Sequence, residues 1–422
     1  MFIYIVYILL TPIIWFILLL SSFFNSKIGE HWNDLWISIN SAAREIKKNN
    51  LNKKTVLFHA ASAGEFEQLV PILSLIDKKK FYIVQSFFSP TIFKKQPVQN
   101  LYDCFCYHPF DFVLSSYIFF KKIKPDYYII NRHDIWPSHI LMAKFLKIKI
   151  FFINANLYKQ SNRLKFPFKN FNKLLFKQFD KILSPSKRIS KNINELVNSN
   201  IVKTTGDSRF DQINQRMKKN KFIFFKNTTN QSKKIIMGSI LKSDYKIIFN
   251  FLKTYFPNGD KSLMDKKIKL IIVPHEVDRQ SVSELQKKLK KISIISKLYS
   301  SEQNNNLPNS LIVDKIGILA DLYKYADFVY IGGGFEAGVH SVIEPSIYGS
   351  IITYGPNINI LDEAVEMTKK KIGFIVKNHL ELINYFNFVN DEEKILNIKK
   401  LTKNYVMKNT GASRKIITEL FN

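Results

Sequence analysis

Residues 326–356 read ADFVYIGGGFEAGVHSVIEPSIYGSIITYGP and predict a strand, a helix and a second strand in succession. Apolar runs separated by a helical pattern are typical of neighbouring parallel strands. Three consecutive glycines, Gly332, Gly333 and Gly334, follow the first run. Their backbone amides can approach a ligand closely, and the next helix N-terminus can bind a phosphate. The spacing is not the G-x-G-x-x-G dinucleotide fingerprint, and a tight turn without a ligand is the alternative.

The same alternation of apolar runs and helical patterns extends over most of the chain. The runs with strand character are 55–60, 81–87, 127–131, 149–155, 181–186, 235–240, 268–276, 310–317, 327–335 and 350–356. We therefore predict an α/β protein with two domains, each built on a parallel, doubly wound sheet. The predicted boundaries are 1–24 for an N-terminal anchor, 25–215 for the first domain, 216–234 for a linker, 235–395 for the second domain and 396–422 for a C-terminal helix.

The first 24 residues carry no charged side chain. A helix needs about 20 apolar residues to cross the hydrocarbon core of a membrane. The segment lacks the positive start and the small-residue cleavage site of a signal peptide. Basic residues follow at Lys27, Arg44, Lys47, Lys48, Lys53 and Lys54, which places the bulk of the chain in the cytoplasm by the positive-inside rule. We expect a single anchor, spanning or deeply embedded, with a buried core helix as the alternative.

Composition leaves the kind of partner open. The formal net charge of +29 fits an anionic partner, but lysine is abundant throughout the chain and a general bias explains the charge equally well. The two cysteines, Cys104 and Cys106, are too few for a disulfide framework or a metal site. Their spacing predicts two reduced thiols on one face of a strand.

Residues 59–66, HAASAGEF, stand where a predicted strand turns into a helix. Small residues, including Ser62 and Gly64, leave room for a substrate beside the backbone. Glu65 falls near the helix N-terminus, where the helix dipole favours the ionised form that a general base requires. The alternative is a glutamate that only stabilises its helix, and this motif alone favours that alternative.

Further polar motifs follow other predicted strands. Arg132, His133 and Asp134 precede Trp136-Pro137 and suit a pocket for a sugar or a lipid headgroup, with a helix start packed in the core as the alternative. Arg209, in GDSRFD, suits bidentate contact with a phosphate or carboxylate. A surface ion pair is the alternative for this arginine.

Two motifs of the second domain point to a nucleotide. His275 and Arg279, in VPHEVDR, would lie at the carboxyl end of a strand. Glu344, one residue before Pro345, can accept hydrogen bonds from the two hydroxyls of a ribose, or it can lie on a solvated helix face.

Taken together and in order, these motifs resemble the Kdo transferases of lipopolysaccharide synthesis, where Kdo is 3-deoxy-D-manno-octulosonic acid. The resemblance covers nearly the whole chain, from the apolar N-terminus through HAASAGE, DIWP, GDSRFD, PHE, DKIGILADLYKYAD, GGGFEAGVHSVIEP and YGPN to TGAS. It implies a GT-B fold of two Rossmann-like domains facing a cleft. It also implies an inverting transfer of Kdo from CMP-Kdo to a lipid A precursor, a tetraacyl disaccharide bisphosphate.

The resemblance assigns roles to residues. It implies that Glu65 is the catalytic base and that Asp134 stands where the family has a supporting glutamate. It carries the nucleotide contacts to Pro274, His275, Gly317, Ile318, Leu319, His340, Ser341, Val342, Ile343 and Glu344. With Ser62, Gly64, Arg209, Gly333 and Gly334 from the motifs above, these are the predicted substrate-binding residues. Many members have asparagine at the position of Ser341 and PRH at the position of residues 274–276.

The resemblance also implies the binding partners and the cellular location of the protein. The first domain binds the acceptor and the second binds CMP-Kdo, on the cytoplasmic face of the inner membrane. No metal or cofactor is expected, because CMP is itself a good leaving group. No nucleic acid partner is expected either. The alternatives are a membrane-associated GT-B enzyme that uses a UDP-sugar and a non-catalytic, basic, membrane-tethered binding protein.

Overall fold

The computed structural model describes residues 2–95, 100–197, 200–219, 222–224, 232–301, 307–336 and 338–421. The chain divides into two compact units. Unit 1 comprises Met1–Gln212 and Thr410–Asn422, and unit 2 comprises Ile213–Asn409. Within the predicted linker 216–234, residues 220, 221 and 225–231 lie outside the described residues.

Unit 1 contains a seven-stranded parallel sheet in the order β3-β2-β1-β4-β5-β6-β7. Its strands are β1 (Lys54–Ala60), β2 (Phe81–Phe87), β3 (Cys104–Tyr107), β4 (Tyr127–Asn131), β5 (Lys149–Ile153), β6 (Lys181–Ser184) and β7 (Val202–Thr204). The helices, in chain order, are α1 (Phe2–Ser22), α2 (Ser26–Asn49), α3 (Ala63–Leu73), α4 (Pro90–Lys95), α5 (Val113–Ile123), α6 (Pro137–Phe145), α7 (Phe168–Phe176) and α8 (Lys187–Ile193). The next helix, α9 (Ser208–Lys219), begins in unit 1 and continues past Gln212 into unit 2. The order reverses between β1 and β4, so the loops after these two strands diverge and leave a crevice at their carboxyl ends.

Unit 2 contains a second seven-stranded parallel sheet, in the order β10-β11-β9-β8-β12-β13-β14. Its strands are β8 (Lys233–Ile240), β9 (Ile268–Pro274), β10 (Lys297–Leu298), β11 (Ser310–Ile312), β12 (Phe328–Ile331), β13 (Ile351–Tyr354) and β14 (Phe374–Ile375). Its helices are α10 (Tyr245–Tyr255), α11 (Asp260–Asp265), α12 (Arg279–Lys290), α13 (Leu319–Leu322), α14 (Ile343–Ser346), α15 (Asp362–Lys369), α16 (His379–Phe386) and α17 (Glu392–Lys408). The order reverses between β8 and β12.

The predicted single C-terminal helix over 396–422 is wrong, because the chain forms α17 and then α18 (Ala412–Phe421). Gly411, at φ +92°, breaks the helix between them. Asp211 accepts hydrogen bonds from the backbone N–H groups of Gly411 (2.5 Å) and Ser413 (2.7 Å). This carboxylate therefore caps α18 and joins the C-terminus to unit 1.

β1 is buried on both faces over almost its whole length, so helices cover both faces of its sheet. Leu57 packs into a core shared with α2, α5 and α6, whereas Val56, Phe58 and Ala60 pack into a core shared with α3 and α18. Successive side chains of a strand point to opposite faces, so the two cores follow from the sequence period. Cys104 and Cys106 are both buried in β3 on one face, and no disulfide joins them. The prediction that the two thiols share one face of a strand is thus confirmed.

The N-terminal helix α1 is apolar enough to cross a membrane. Its segment Ile5–Ser22 has a mean hydropathy of 2.4, and it is the one such helix among the described residues. One face of α1 packs on the rest of unit 1, where the Tyr7 hydroxyl donates to Asp111 and the Trp15 ring lies 4.7 Å from that of Trp32. The large side chains exposed elsewhere on it are Ile5, Leu9, Leu10, Ile13, Ile14, Phe16, Ile17 and Leu20. The helix is therefore a candidate membrane anchor.

Candidate active site

Glu65 lies in the first turn of α3, directly after β1. Ser62 caps the helix, and its hydroxyl accepts a hydrogen bond from the Glu65 N–H at 3.4 Å. The Glu65 carboxylate accepts one from the Ala61 N–H at 2.8 Å. This reciprocal arrangement is a close variant of the S-x-x-E capping box. Glu65 therefore does stabilise its helix, and a second role needs separate evidence.

The electrostatics of Glu65 supply such evidence. Burial raises the pKa of its carboxyl above the ordinary value of 4.5, and the neighbouring Asp134 raises it further, against smaller opposing effects of the Ala61 N–H, His59 and Arg132. A carboxylate that only caps a helix needs to accept a hydrogen bond but does not need a raised pKa. A general base works best when its pKa approaches the working pH, which a raised carboxyl pKa favours.

Gly64 leaves the space beside Glu65 open. A Cβ atom built on Gly64 meets nothing within 4 Å, and its φ is not in the left-handed region. Packing and backbone conformation therefore do not require glycine here, although glycine costs helix stability of up to about 1 kcal/mol relative to alanine. Ser62 is exposed at the same surface. The open surface beside Glu65 leaves room for a ligand.

Asp134 follows β4, on the other side of the reversal in strand order. His59 Nε2 lies 2.5 Å from Asp134 Oδ2. Burial alone would raise the pKa of Asp134, but the hydrogen bond and charge of His59, with a smaller effect of Trp136, hold it below the ordinary value. Asp134 is thus kept ionised close to Glu65. The joint role of these two carboxylates in catalysis stays a prediction.

A buried hydrogen-bond chain lies behind Asp134. Ser86 Oγ lies 3.1 Å from His59 Nδ1 and 3.2 Å from His108 Nδ1, and the Tyr128 hydroxyl lies 3.1 Å from His108 Nε2. Burial lowers the pKa of His108 well below its ordinary value and raises that of Tyr128 well above its own, so both are neutral. Tyr128 can then donate to His108 Nε2, which leaves His108 Nδ1–H to donate to Ser86. The Ser86 hydroxyl itself donates to the Phe58 carbonyl at 3.2 Å, and the chain holds the His59 ring with its Nε2 atom at Asp134.

A second buried network fixes the backbone around Glu65. Asn131, the last residue of β4, donates from Nδ2 to the Glu65 carbonyl oxygen at 2.9 Å. Asn154 donates from its Nδ2 to Asn131 Oδ1 at 2.9 Å, and its own Oδ1 accepts from the Ser208 N–H at 3.1 Å. These side chains are fully or almost fully buried, so their hydrogen bonds replace those lost to water. The starts of α3 and α9 are therefore held to the ends of β4 and β5.

Arg209 is held by Asp207. Its Nε and Nη2 atoms lie 2.9 Å and 2.6 Å from Asp207 Oδ2, and Gln68 Nε2 donates to the other oxygen at 2.9 Å. Burial alone would raise the pKa of Asp207, but Arg209, with a smaller effect of Arg132, holds it below the ordinary value. The pair is largely buried rather than a surface pair. Contact of Arg209 with an anionic substrate stays a prediction.

In unit 2, the carboxyl ends of β8, β9 and β12 bring two histidines together. His275, after the buried Pro274, lies with Nδ1 3.0 Å from the Ser239 hydroxyl. Its ring stacks on that of His340 at 4.9 Å between centroids. Burial lowers the pKa of His340, and the nearby His275 lowers it further. The two predicted nucleotide contacts are therefore neighbours in the fold.

The glycine loop is explained in part by packing. The Gly332 N–H donates to the Gly238 carbonyl at 2.9 Å, and the Gly333 N–H donates to the buried Asp244 at 2.9 Å. A Cβ atom on Gly332 would lie 2.3 Å from the Ser239 oxygen, and one on Gly334 would lie 2.6 Å from the Gly355 nitrogen. The expectation that the amides of Gly332 and Gly333 face a ligand is therefore wrong. Gly333 and Gly334 stay predictions as binding residues.

The helix behind the glycine loop is shorter than the motif predicts. It is α14, one turn long, and Glu344 is its second residue. Val342 and Ile343 are fully buried, backbone included, so their predicted nucleotide contacts stay predictions, whereas His340, Ser341 and Glu344 are half-buried. One turn of helix carries a smaller dipole than the phosphate-binding expectation assumed.

The predicted segment Gly317, Ile318 and Leu319 lies at the start of α13. Gly317 has a φ of +91°, a conformation that favours glycine. Arg216, in α9, pairs with Asp321 at 3.0 Å and donates to the Gly317 carbonyl at 3.4 Å. Arg216 thus orders the turn that carries this segment.

Sequence reasoning missed several residues that shape these sites. Asn131 had a usable signal, because it is a polar residue at the end of an apolar strand. His59, His108 and Asp244 gave none, since the partners described above are 20 to 89 residues away in the chain. No group of His, Cys, Asp and Glu side chains among the described residues could hold a metal ion.

Comparisons with known proteins agree with the motifs. Residues 38–212 match the family model described as 3-deoxy-D-manno-octulosonic-acid transferase (kdotransferase). The chain is 28% identical over 367 residues to the 3-deoxy-D-manno-octulosonic acid transferase of Aquifex aeolicus (strain VF5), covering 85% of this chain and 90% of that protein. It is 24% identical to the proteins of the same name from Chlamydia trachomatis serovar A, with 80% and 78% covered, and Rickettsia bellii, with 87% of each covered.

Solved structures support the fold. A UDP-GlcNAc 2-epimerase from Neisseria meningitidis superimposes with a TM-score of 0.63 at 15% identity, covering 87% of this chain and 99% of that one. A glycosyltransferase from Rickettsia africae gives a TM-score of 0.59 at 14% identity, covering 87% and 97%. These likenesses show the GT-B type fold of two Rossmann-like units. Residues 38–212 match the model of the Kdo transferase family, and the resemblance to that family inferred from the motifs is confirmed.

Proposed function

We propose that the protein is an inverting glycosyltransferase that moves Kdo from CMP-Kdo to a hydroxyl of a bisphosphorylated lipid A precursor. Its similarity to Kdo transferases supports Kdo transfer in lipopolysaccharide synthesis. The observation that carries the proposal for this chain is the geometry of Glu65. Its carboxyl is half-buried, has a raised pKa and lies beside the open space over Gly64.

The chemistry needs one base and one leaving group. Glu65 takes the proton from the acceptor hydroxyl as the oxygen attacks the anomeric carbon of Kdo. The bond from that carbon to the phosphate oxygen of CMP breaks, and its electron pair leaves with CMP. Asp134, held ionised by His59, favours proton capture by Glu65 because it raises the pKa of that carboxyl.

The second unit is proposed to bind CMP. His275 and His340 can donate hydrogen bonds to the phosphate of CMP and to the charge that develops as it leaves. Glu344 can accept hydrogen bonds from the ribose hydroxyls. The proposed substrate contacts in unit 2 also include the backbone of Gly317, Ile318 and Leu319. The proposed reaction requires no cofactor, because the donor carries its own leaving group.

The proposed cellular location is the cytoplasmic face of the inner membrane. The apolar helix α1 supplies the anchor, and a lipid acceptor lies in the same membrane. The excess of lysine and arginine over acidic residues favours binding to an anionic membrane surface.

The test is incubation of the membrane-bound protein with CMP-Kdo and the lipid A precursor, followed by mass spectrometry of the lipid. We expect the mass to rise by one or more Kdo residues. Protection from thermal unfolding by CMP but not by UDP would support the donor assignment. No Kdo addition, with protection by UDP alone, would instead favour a UDP-sugar enzyme, and no transfer with either donor would favour a binding protein.

A further inference from the structure

A cavity of about 160 Å³ opens in unit 1 at the carboxyl ends of β4 and β5. The polar residues that line it are Arg132, His133, Asn156, Tyr158, Ser161 and Arg163. Asp134 follows two of them directly in sequence. The cavity is therefore next to the proposed catalytic carboxylates, but the motifs predicted only part of its lining.

The guanidinium groups of the cavity are arranged around His133. Arg163 Nη2 donates to the His133 carbonyl at 3.2 Å, and Arg132 Nε donates to His133 Nε2 at 3.1 Å. Burial lowers the pKa of His133 to about 4, and the charges of Arg132, Arg163 and Arg209 contribute to the shift. His133 is thus a neutral acceptor at neutral pH, and the positive charge of the cavity comes from arginine.

Arg163 carries a charge that is poorly solvated. Burial lowers the pKa of its guanidinium, while Asp134 and Tyr158 raise it. Its described side-chain hydrogen bond goes to a neutral carbonyl, and within the described residues it forms no ion pair. A half-buried guanidinium with unfilled donor positions favours an oxyanion, because its planar fork matches phosphate and carboxylate geometry.

The backbone of Arg132 is strained where it enters the cavity. Its φ of +63° is uncommon for a residue with a side chain. The strand end holds it there, since the Arg132 N–H donates to the Ile153 carbonyl at 3.0 Å and its own carbonyl accepts from the Asn156 N–H at 3.3 Å. Such strain is retained at sites where the surrounding structure imposes it, and ligand-binding positions are a common case.

The segment that supplies Ser161 and Arg163 leads directly to the candidate anchor. It continues into α7, where the ring of Phe171 lies 5.9 Å from that of Tyr7 in α1. Phe166, three residues after Arg163, is 93% exposed. An anion that reaches this cavity therefore arrives beside the apolar surface that we assign to the membrane, which favours an anion carried by a lipid.

We propose that this cavity binds one phosphate monoester of the glycolipid acceptor, with Arg163 and Arg132 as its cationic contacts. The inference rests on the proposed function for the identity of the acceptor. It adds a specificity-determining site: the cavity selects a phosphorylated acceptor and places its hydroxyl toward Glu65.

The test measures binding without any transfer step. The probe is the deacylated, bisphosphorylated glucosamine disaccharide, titrated into the full-length protein by calorimetry, together with its two monophosphorylated forms. Arg163→Gln should weaken binding of the bisphosphate about 10- to 100-fold, the range for a lost charge-assisted hydrogen bond. One monophosphorylated form should bind wild type and variant equally, because it lacks the phosphate that occupies the cavity.

The matched control is Lys165→Gln, which removes one exposed positive charge from the same segment. It should change the affinity by less than about 2-fold, as surface charges contribute little. If Arg163→Gln does not fold, Arg163→Lys tests the same point, since it keeps the charge and loses the fork. Equal weakening of all three ligands, or no weakening of any, overturns the site.

The outcome separates this site from the proposed reaction. Binding of the phosphate that depends on Arg163, in a protein that transfers no Kdo, supports the cavity and refutes the proposed function. Kdo transfer by wild type, with an acceptor Kd and KM that Arg163→Gln leaves unchanged, refutes the cavity alone.

Discussion

Replacing Glu65 by glutamine separates its two roles, helix cap and general base. A glutamine side chain has nearly the same size, and its amide oxygen can accept the hydrogen bond from the Ala61 N–H that the carboxylate accepts at 2.8 Å. The variant therefore keeps the cap and loses the proton acceptor. If Glu65 only capped α3, the substitution would leave catalysis intact.

The sign of the stability change follows from the pKa of Glu65. Its folded-state pKa is raised above the ordinary 4.5, chiefly by burial and then by Asp134. The folded protein thus binds this proton more tightly than the unfolded chain does, and the stability contributed by this group is lost as the pH rises through the folded pKa. Glutamine carries no charge, so at neutral pH we expect Glu65→Gln to be at least as stable as wild type.

The expected loss of activity is large. General base catalysis typically contributes about 10²- to 10⁴-fold, or roughly 3 to 5 kcal/mol of the activation free energy. A helix-dipole interaction contributes about 0.3 to 1 kcal/mol to stability and nothing to kcat. We therefore expect kcat to fall by about 10²- to 10⁴-fold while the melting temperature does not fall.

The assay is steady-state Kdo transfer over a pH series, with the melting temperature measured on the same preparations. Wild-type kcat/KM should rise with pH as Glu65 ionises, and the variant should lose this limb of the profile. Glu67→Gln is the matched control, because Glu67 is exposed on the same helix. A kcat for Glu65→Gln within about 10-fold of wild type, together with a lower melting temperature, would show that Glu65 is a cap and not a base.

Three further outcomes test the surroundings of the site. Gly64→Ala should stabilise α3 by up to about 1 kcal/mol and lower the rate of transfer, because its methyl group fills space proposed for the acceptor; an active, stabilised variant would contradict this. His59→Ala should lower kcat more than it changes KM and should raise the pKa of Asp134. His59→Gln should restore part of kcat because its amide can donate a hydrogen bond to Asp134, and identical kinetics of the two variants would count against a positioning role. Asp211→Asn should lose one of the two hydrogen bonds that cap α18, lower the free energy of unfolding by about 1 to 2 kcal/mol and expose the C-terminal segment to proteolysis. Unchanged proteolysis would refute the cap.

Hydrophobic period and local turn signals predicted ten of the fourteen strands in the described residues, and the spacing of Cys104 and Cys106 indicated β3. The short edge strands β7, β10 and β14 were missed. The runs 81–87 and 127–131 match β2 and β4 residue for residue, because strands buried in a parallel sheet are rich in apolar residues. Predicted strand ends were less accurate where polar residues follow. The run 310–317 ends as a strand at Ile312, and 268–276 ends at Pro274, where the backbone leaves the ladder.

The glycine loop shows why a motif can be located correctly and explained incompletely. Three adjacent glycines stand out in any sequence, and ligand approach is one reason for them. The fold supplies another, since Gly332 packs against the backbone at Ser239 and Gly334 against Gly355. Which neighbour excludes a Cβ atom depends on the pairing of β8, β12 and β13, and that pairing is not a local property of the sequence.

The sequence by itself determined the parallel α/β class, the apolar N-terminal helix, the position of Glu65 at a helix start and the likeness to Kdo transferases. Each depends on residue types at short, regular spacings. Only the tertiary structure decided that Asp134 lies on a hydrogen-bond chain through His59 to Tyr128, and that Arg163 joins Arg132 around one cavity. These groups are distant in the chain, and the reversal of strand order between β1 and β4 brings their strand ends to one edge of the sheet. The electrostatic field that tunes a carboxylate is a sum over such spatial neighbours, and it exists only once the chain has folded.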